Sequence, residues 1–339
     1  MMGALESRPR VVLLGRLSTR GESLHKAMQS VCAVKWIARK SESRTNPLLL
    51  PLHVIREFMH LLRLCLSFPL GSRPIVIVHP VGPDTIPAFA ARKITGCRVM
   101  LYAVGADVPR RMNLARRLFM GWAVRSADVV LCGSTKTEHK VRNLGGMTTK
   151  VLPTPFIPFD PGTDMKREFD VVAVGNLDDG AKQSLLVEAS SYLNPSVRIA
   201  IVGDGPQRQY LTTLSRRDGR TQVKFLGDLP PTRVYKTLLS SSLYVQCSRD
   251  ESRQSSLLEA VACGLPIIAL ARDQESELTE LYGIRPIVPK DRNAVSLAIA
   301  IEGAMENYST LLEDVTKNRE ALESFSRSWP GMAEAAIFS

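Results

Sequence analysis

The sequence predicts an α/β protein of two doubly wound, parallel-sheet domains that face each other across a cleft. Three observations lead there. Short apolar runs alternate with stretches of helical period in both halves, a proline-dense segment separates the halves, and 339 residues exceed what one hydrophobic core usually organises.

In the first half the apolar runs Val11–Leu14, Ile75–His79, Arg98–Val104 and Val129–Cys132 read as strands. Between them Leu24–Val31, Leu52–Leu66, Pro87–Ile94 and Arg110–Val124 carry helical patterns. The segment from Leu152 to Gly162 holds Pro153, Pro155, Pro158 and Pro161. Proline cannot donate to a sheet ladder, so this stretch is a linker. The second half repeats the scheme with Val171–Gly175, Ile199–Gly203, Val223–Leu226, Leu243–Gln246, Ile267–Leu270 and Arg285–Val288. The expected division is therefore a first domain over 1–152, a linker over 153–164, a second domain over 165–322 and a closing segment over 323–339. Ligands of doubly wound sheets bind at the carboxyl ends of the strands, so the site is expected in the cleft between the domains.

Composition excludes several classes. Cys32, Cys65, Cys97, Cys132, Cys247 and Cys263 lie scattered in apolar contexts without Cys-x-x-Cys or a metal-binding spacing. They read as small buried hydrophobes in a reducing compartment, with neither disulfide nor structural zinc. The most apolar stretch, Leu48 to Leu70, is interrupted by His53, Arg56, Glu57, His60 and Arg63 and does not read as a bilayer span. No secretory leader is recognisable, and a cytoplasmic protein is expected.

Charge is uneven. Residues 1–150 carry 24 Lys and Arg against 8 Asp and Glu, whereas the whole chain carries 44 against 33. The basic excess thus lies in the first half, in Arg110, Arg111, Arg116, Arg117 and Arg125 and on the Leu52–Leu66 helix. Apolar side chains beside arginine suit a helix lying on an anionic membrane surface, and equally a core-facing helix with a basic outer face. Nucleic acid is not expected as a partner, because no zinc-finger spacing or ribonucleoprotein signature is present and aromatic residues make up only 6% of the chain.

The chemistry concentrates in Glu251-Ser-Arg-Gln-Ser-Ser-Leu-Leu-Glu259, which continues through Cys263-Gly-Leu-Pro266 into Ile267–Leu270. Ser255 and Ser256 open a helix whose first N–H groups are available to an anion. Glu259, one turn further in, can accept hydrogen bonds from a polyol. Taken singly, each glutamate also suits a cap or a solvated helix face. Together with a phosphate-binding turn they describe a nucleotide-sugar site.

Val171-Val-Ala-Val-Gly175 with Lys182, Ile199-Ala-Ile-Val-Gly-Asp-Gly-Pro206, Val223-Lys-Phe-Leu-Gly227, the Glu-x7-Glu unit and Cys263-Gly-Leu-Pro266 follow one another in family-like order. The segment from Phe169 to Leu270 thereby resembles the donor-binding half of the retaining GT-B glycosyltransferases of family 4. The resemblance implies two Rossmann-like domains, and a terminal helix in Ser326–Ser339, with Trp329-Pro330, that crosses back to the first domain. It implies that Glu259 binds the ribose, that Glu251 orients the donor sugar and that Ser255, Ser256 and Leu257 meet the diphosphate and sugar. Lys182 would neutralise the leaving diphosphate. Gly21 resembles the end of a glycine-rich loop at the phosphate, Gly205 belongs to the Gly-Asp-Gly-Pro element, and Leu229 borders the base. The chain departs from the pattern at Asn176, where relatives usually carry arginine, and at Ser252-Arg253-Gln254, where they often carry Gly-Phe-Gly. Arg253 could restore the missing charge. In the first half only Gly105 and Asp107 remain of a His-before-Gly-x-Asp pattern, with Asp107 the acceptor-side candidate.

The resemblance implies a glycosyltransferase using a UDP- or GDP-linked sugar as substrate, with no cofactor and no catalytic metal. Its acceptor would be a lipid-linked or other glycan at the cytoplasmic face of a membrane to which the protein binds peripherally. Two alternatives are an epimerase on the same scaffold and a non-catalytic partner subunit. The first would need an acid/base set and usually histidine in the cleft, whereas the second half contains no histidine. The second is compatible with Asn176 and the altered Gly-Phe-Gly.

Overall fold

A computed structural model describes residues 10–16, 19–39, 50–68, 74–105, 107–108, 112–158, 166–178, 182–216, 222–248, 254–270 and 272–338. The chain divides into two compact units, Met1–Ile157 with Ser328–Ser339, and Pro158–Arg327.

The first unit runs β1 (Arg10–Arg16), α1 (Thr19–Gln29), β2 (Ala33–Arg39), α2 (Leu50–Leu66), β3 (Ile75–His79), α3 (Thr85–Thr95), β4 (Arg98–Ala103), α4 (Leu114–Ser126), β5 (Val129–Cys132), α5 (Thr135–Asn143) and β6 (Thr149–Val151). The strands form one parallel sheet in the order β2-β1-β3-β4-β5-β6. Every residue of β3 and β5 is buried, because helices cover both faces of such a sheet and the strands read as unbroken apolar runs. Val12, Val76, Val99 and Leu101 pack on Leu61 of α2, Ala88 of α3 and Met120 of α4 in one core.

The second unit runs β7 (Phe169–Val174), α6 (Ser184–Ala189), β8 (Arg198–Val202), α7 (Arg208–Arg216), β9 (Gln222–Gly227), α8 (Pro231–Leu239), β10 (Ser241–Gln246), α9 (Gln254–Ala262), β11 (Ile267–Ala269), α10 (Arg272–Tyr282), α11 (Ala294–Glu306) and α12 (Tyr308–Phe338). Its parallel sheet has the order β11-β10-β7-β8-β9. Val171, Ile199, Leu243 and Ile268 meet Leu186 of α6 and Ile301 of α11 in a second core. Each unit is thus a Rossmann-like doubly wound sheet. The last turns of α12 belong to the first unit. There Trp329, 2% exposed, donates its indole N–H to Pro153 O at 2.8 Å.

Four elements differ from the sequence expectation, one of them the three-residue strand β6, which no apolar run announces. β2 falls outside the expected strands, because it is an edge strand whose Lys35 is exposed and whose Trp36 is half-buried; a charged edge resists pairing with other chains. The helix expected from Arg110 is described from Leu114, where extended Asn113 caps it by accepting a hydrogen bond from Arg116 N at 2.9 Å. The strand expected over Arg285–Val288 amounts to a single bridge between Ile268 and Ile287. The amide of Asn318 takes both backbone groups of Arg285, accepting from its N at 2.9 Å and donating to its O at 3.2 Å. That diverts Arg285 from a ladder.

Candidate functional site

The order of the second sheet reverses between β7 and β10. The chain steps outward from β7 through β8 to β9, then returns to the other side of β7 with β10 and β11. Ligands of open α/β sheets bind at the carboxyl ends flanking such a switch point. Gly175-Asn176 follows β7 there, Cys247-Ser248 follows β10, and α9 begins a few residues later.

The adjoining strand ends are tied together by backbone. Gly175 N donates to Val202 O at 3.0 Å, Gly203 N to Gly227 O at 2.8 Å, Leu177 N to Asp204 O at 2.9 Å and Gln207 N to Leu177 O at 2.9 Å. A Cβ on Gly203 would stand 2.1 Å from Gly175 O, and one on Gly205 would stand 2.4 Å from Leu177 O. Both positions therefore exclude a side chain, and Gly205 has a packing reason to be glycine before any ligand is considered. Asp204 Oδ1 accepts from Gly205 N at 2.7 Å and Oδ2 from Arg208 at 2.6 Å. These bonds hold its carboxyl below the usual range, the Gly205 N–H first and the Arg208 guanidinium second. Asp204 thus organises the turn.

Asn176 is exposed, and its carbonyl accepts from the buried Gln183 Nε2 at 3.3 Å. Lys182, also exposed, has φ +57° and is the one non-glycine residue with positive φ among the described residues. Left-handed backbone costs a side-chain-bearing residue about 1–2 kcal/mol. Such outliers cluster at sites of function.

α9 supplies the wall opposite. Ser256 Oγ lies 3.0 Å from the Tyr244 phenol of β10 and 3.4 Å from Val174 O of β7, so it straddles the switch point. Ser255 is half-buried beside it, and the Leu257 side chain enters the core at 1% exposure. The helix ends at Gly264, whose φ of +75° suits the left-handed position after a C-terminus. Glu259 is half-buried and makes no side-chain hydrogen bond or ion pair with a described residue. Burial raises its carboxyl to about 7. Tyr235 of α8 is pushed up to about 12 by burial first and by the Glu259 charge second. With no partner among the described residues and set in a low dielectric beside a tyrosine, Glu259 is able to accept hydrogen bonds from a donor. Half-buried Leu229 lies between β9 and α8.

The structure brings Asn176, Lys182, Gly205, Ser255, Ser256, Leu257 and Glu259 to the carboxyl side of the second sheet. Gly21 and Asp107 belong to the first unit. Gly21 is the third residue of α1, a helix where the sequence suggests a loop end. Asp107, 8% exposed, closes the turn after β4: its Oδ2 accepts from Val104 N at 3.1 Å and its carbonyl from Arg116 at 3.2 Å. Glu251 and Arg253 lie outside the described residues. Sequence reasoning missed Tyr235, Tyr244 and Gln183; of these only Tyr244, inside a foreseen strand, carried a signal. Among the described residues no group of three or more His, Cys, Asp or Glu could hold a metal ion.

Residues 157–323 match the family described as glycosyl transferases group 1. The chain is 26% identical over 218 residues to a phosphatidylinositol N-acetylglucosaminyltransferase subunit of Arabidopsis thaliana, covering 58% of this chain and 46% of that one. It is also 26% identical over 161 residues to the N-acetylgalactosamine-N,N'-diacetylbacillosaminyl-diphospho-undecaprenol 4-alpha-N-acetylgalactosaminyltransferase of Campylobacter jejuni, covering 47% and 41%. The chain thus spans less than half the length of either relative. Among solved structures, sucrose-phosphate synthase from Thermosynechococcus elongatus superposes with a TM-score of 0.75 at 16% identity, covering 98% of this chain and 99% of that one. Anabaena HepE in complex with UDP and glucose gives 0.71 at 16% identity, covering 97% and 98%. At these identities the structural likeness bears on fold, which is that of the GT-B glycosyltransferases.

Proposed function

We propose that this chain is a retaining, metal-independent glycosyltransferase that moves a sugar from a UDP- or GDP-linked donor to a lipid-linked glycan acceptor at the cytoplasmic face of a membrane. The observation that carries the donor half is Glu259: a half-buried carboxylate, raised to about 7 by burial, with no partner among the described residues, one turn inside a helix that starts at the switch point. Its two oxygens suit the paired hydroxyls of a ribose. The N–H groups of Ser255, Ser256 and Leu257 face the diphosphate, and exposed Lys182 adds a positive charge. Leaving-group stabilisation by fixed donors is the main electrostatic task when a glycosyl–phosphate bond breaks toward an oxocarbenium-like centre. The acceptor hydroxyl attacks from the face the diphosphate leaves, its proton passing to a departing phosphate oxygen, so configuration is retained without an enzyme nucleophile. By resemblance Glu251 orients the sugar, Arg253 supplies the charge that Asn176 lacks, and Asp107 serves the acceptor side.

The acceptor half rests on the first unit and on what the relatives' names say of them. One acts on phosphatidylinositol and one on a diphospho-undecaprenol glycan. On α4, Leu114, Leu118 and Trp122 recur every fourth residue and are 73%, 62% and 41% exposed, with exposed Arg117 and Arg125 flanking that face. Apolar side chains on one helix face with arginines alongside suit the boundary of an anionic bilayer. No helix among the described residues is long and apolar enough to cross one.

The test is incubation with UDP- and GDP-sugars in excess EDTA, with and without polyprenyl-diphosphate glycans, followed by anomer-resolved NMR. Transfer, or slow donor hydrolysis, with retained configuration supports the reading. Acceptor-independent epimerisation would make the protein an epimerase, and donor binding without turnover a partner subunit. Loss of turnover on chelation, restored by magnesium, would contradict metal independence.

A further inference from the structure

Gln254 opens α9 with its side chain buried at 7% exposure, and both ends of its amide are engaged. Nε2 donates to Glu277 Oε1 at 2.7 Å, and Oε1 accepts from the Tyr282 phenol at 3.3 Å. Both partners sit on α10, and the Tyr282 ring stacks edge-on against Phe325 of α12 with centroids 4.7 Å apart. In this orientation the amide NH2 meets the carboxyl group and its oxygen the hydroxyl. Two residues on, Ser256 ties the same helical turn to β7 and β10. The first turn of α9 is thus held from two sides, toward the sheet by Ser256 and toward α10 by Gln254.

A nine-residue helix has little stability of its own in water, so the direction of its first N–H groups is set by tertiary bonds. Gln254 is also the last residue of the stretch that replaces the Gly-Phe-Gly of similar chains. We infer that Gln254 is a positioning residue for the donor's diphosphate, acting through Glu277 and Tyr282 to aim the N-terminal turn of α9. This rests on the donor site proposed above. Gln254 itself, turned into the α9–α10 interface, touches no substrate, and its effect is confined to the phosphate end of the ligand.

The experiment is calorimetric titration of wild type and variants with UDP and GDP, and with uridine and guanosine as probes lacking phosphate. Gln254→Ala weakens the bound nucleoside diphosphate about tenfold and leaves the nucleoside within about twofold. Glu277→Ala reproduces that pattern, whereas Glu277→Gln, which keeps an acceptor for the amide, restores most of the affinity. Should Gln254→Ala fail to fold, Tyr282→Phe removes only the phenol bond, and the same diphosphate-selective weakening is expected at about threefold. Equal weakening of nucleoside and nucleoside diphosphate, or unchanged diphosphate affinity in a folded Gln254→Ala or Tyr282→Phe variant, overturns the inference and leaves the donor site standing. Wild-type protein that binds neither UDP nor GDP overturns the donor site and the inference with it.

Discussion

Ser256 Oγ lies 3.0 Å from the phenol oxygen of Tyr244, which also stands 2.8 Å from Gln246 Oε1. This joins α9 to β10 where the second sheet reverses its order. Tyr244 is fully buried, and burial is the first cause that raises its phenol well above the usual range. It is therefore a neutral donor and acceptor at working pH. The helix that carries Glu259 is thus tied at its origin to β10 by neutral groups, and Glu259 follows on the same helix with no side-chain hydrogen bond to a described residue.

Glu259 couples stability to pH. Its carboxyl is raised from 4.5 to about 7, so the folded protein holds a proton that the unfolded chain gives up between those values. Stability is favoured below about pH 4.5 and declines as pH rises to about 7. Glu259→Gln removes that penalty. Its thermal midpoint at pH 8 is expected above wild type by a few degrees, at about 2–4 °C per kcal/mol for a unit of this size, with little difference at pH 4. Nucleotide affinity in the wild type is expected to rise with pH through about 7, as the carboxylate forms, and to lose that dependence in Glu259→Gln. Thermal scans and titrations across pH measure both.

Lys182 separates charge from strain. Lys182→Gly relieves the left-handed backbone at φ +57° and is expected to raise stability by about 1 kcal/mol, while kcat falls because the charge is gone. Lys182→Ala loses the charge and keeps the strain, so its kcat falls equally without the gain in stability. Chemical denaturation beside steady-state kinetics distinguishes them.

Gly203→Ala forces a methyl group to 2.1 Å from Gly175 O at a backbone with φ +124°. The ties among β7, β8 and β9 must spread, at an expected cost of about 2 kcal/mol or more. Urea denaturation reads that loss directly.

Much of this was legible in the sequence because periodicity reports burial. β5 is wholly apolar and β3 and β4 are so apart from His79 and Arg98 at their ends, and the glycines at 175, 203, 205 and 227 mark strand ends where backbones touch. β2 was not legible, since an edge strand carrying Lys35 and Arg39 lacks an apolar run, and β6 spans only three residues. The start of α9 and the place of Glu259 on that helix were legible from motif spacing. The network holding that turn was not: Gln254 meets Glu277 and Ser256 meets Tyr244 across 23 and 12 positions. A period shows which face is buried but not which polar atoms meet there. Gly205 shows the converse, a ligand-like motif position whose glycine is already demanded by Leu177 O.

The α4 surface makes a membrane prediction. Basic residues near an anionic surface contribute about 1 kcal/mol each within a Debye length of about 8–10 Å. Liposome sedimentation is expected to require anionic lipid and to fall with added salt. It should weaken in Arg117→Gln and more strongly when Leu114, Leu118 and Trp122 are all changed to Ala. Equal recovery with neutral and anionic vesicles would remove the membrane from the account.

The most direct test of the donor site is calorimetric titration of UDP and GDP into wild type and Glu259→Ala, with folding checked by circular dichroism. A site built on Glu259 predicts binding of one of the two nucleotides by wild type, weakened by about 1–3 kcal/mol in the variant. Unchanged nucleotide affinity in a folded Glu259→Ala protein would contradict the account.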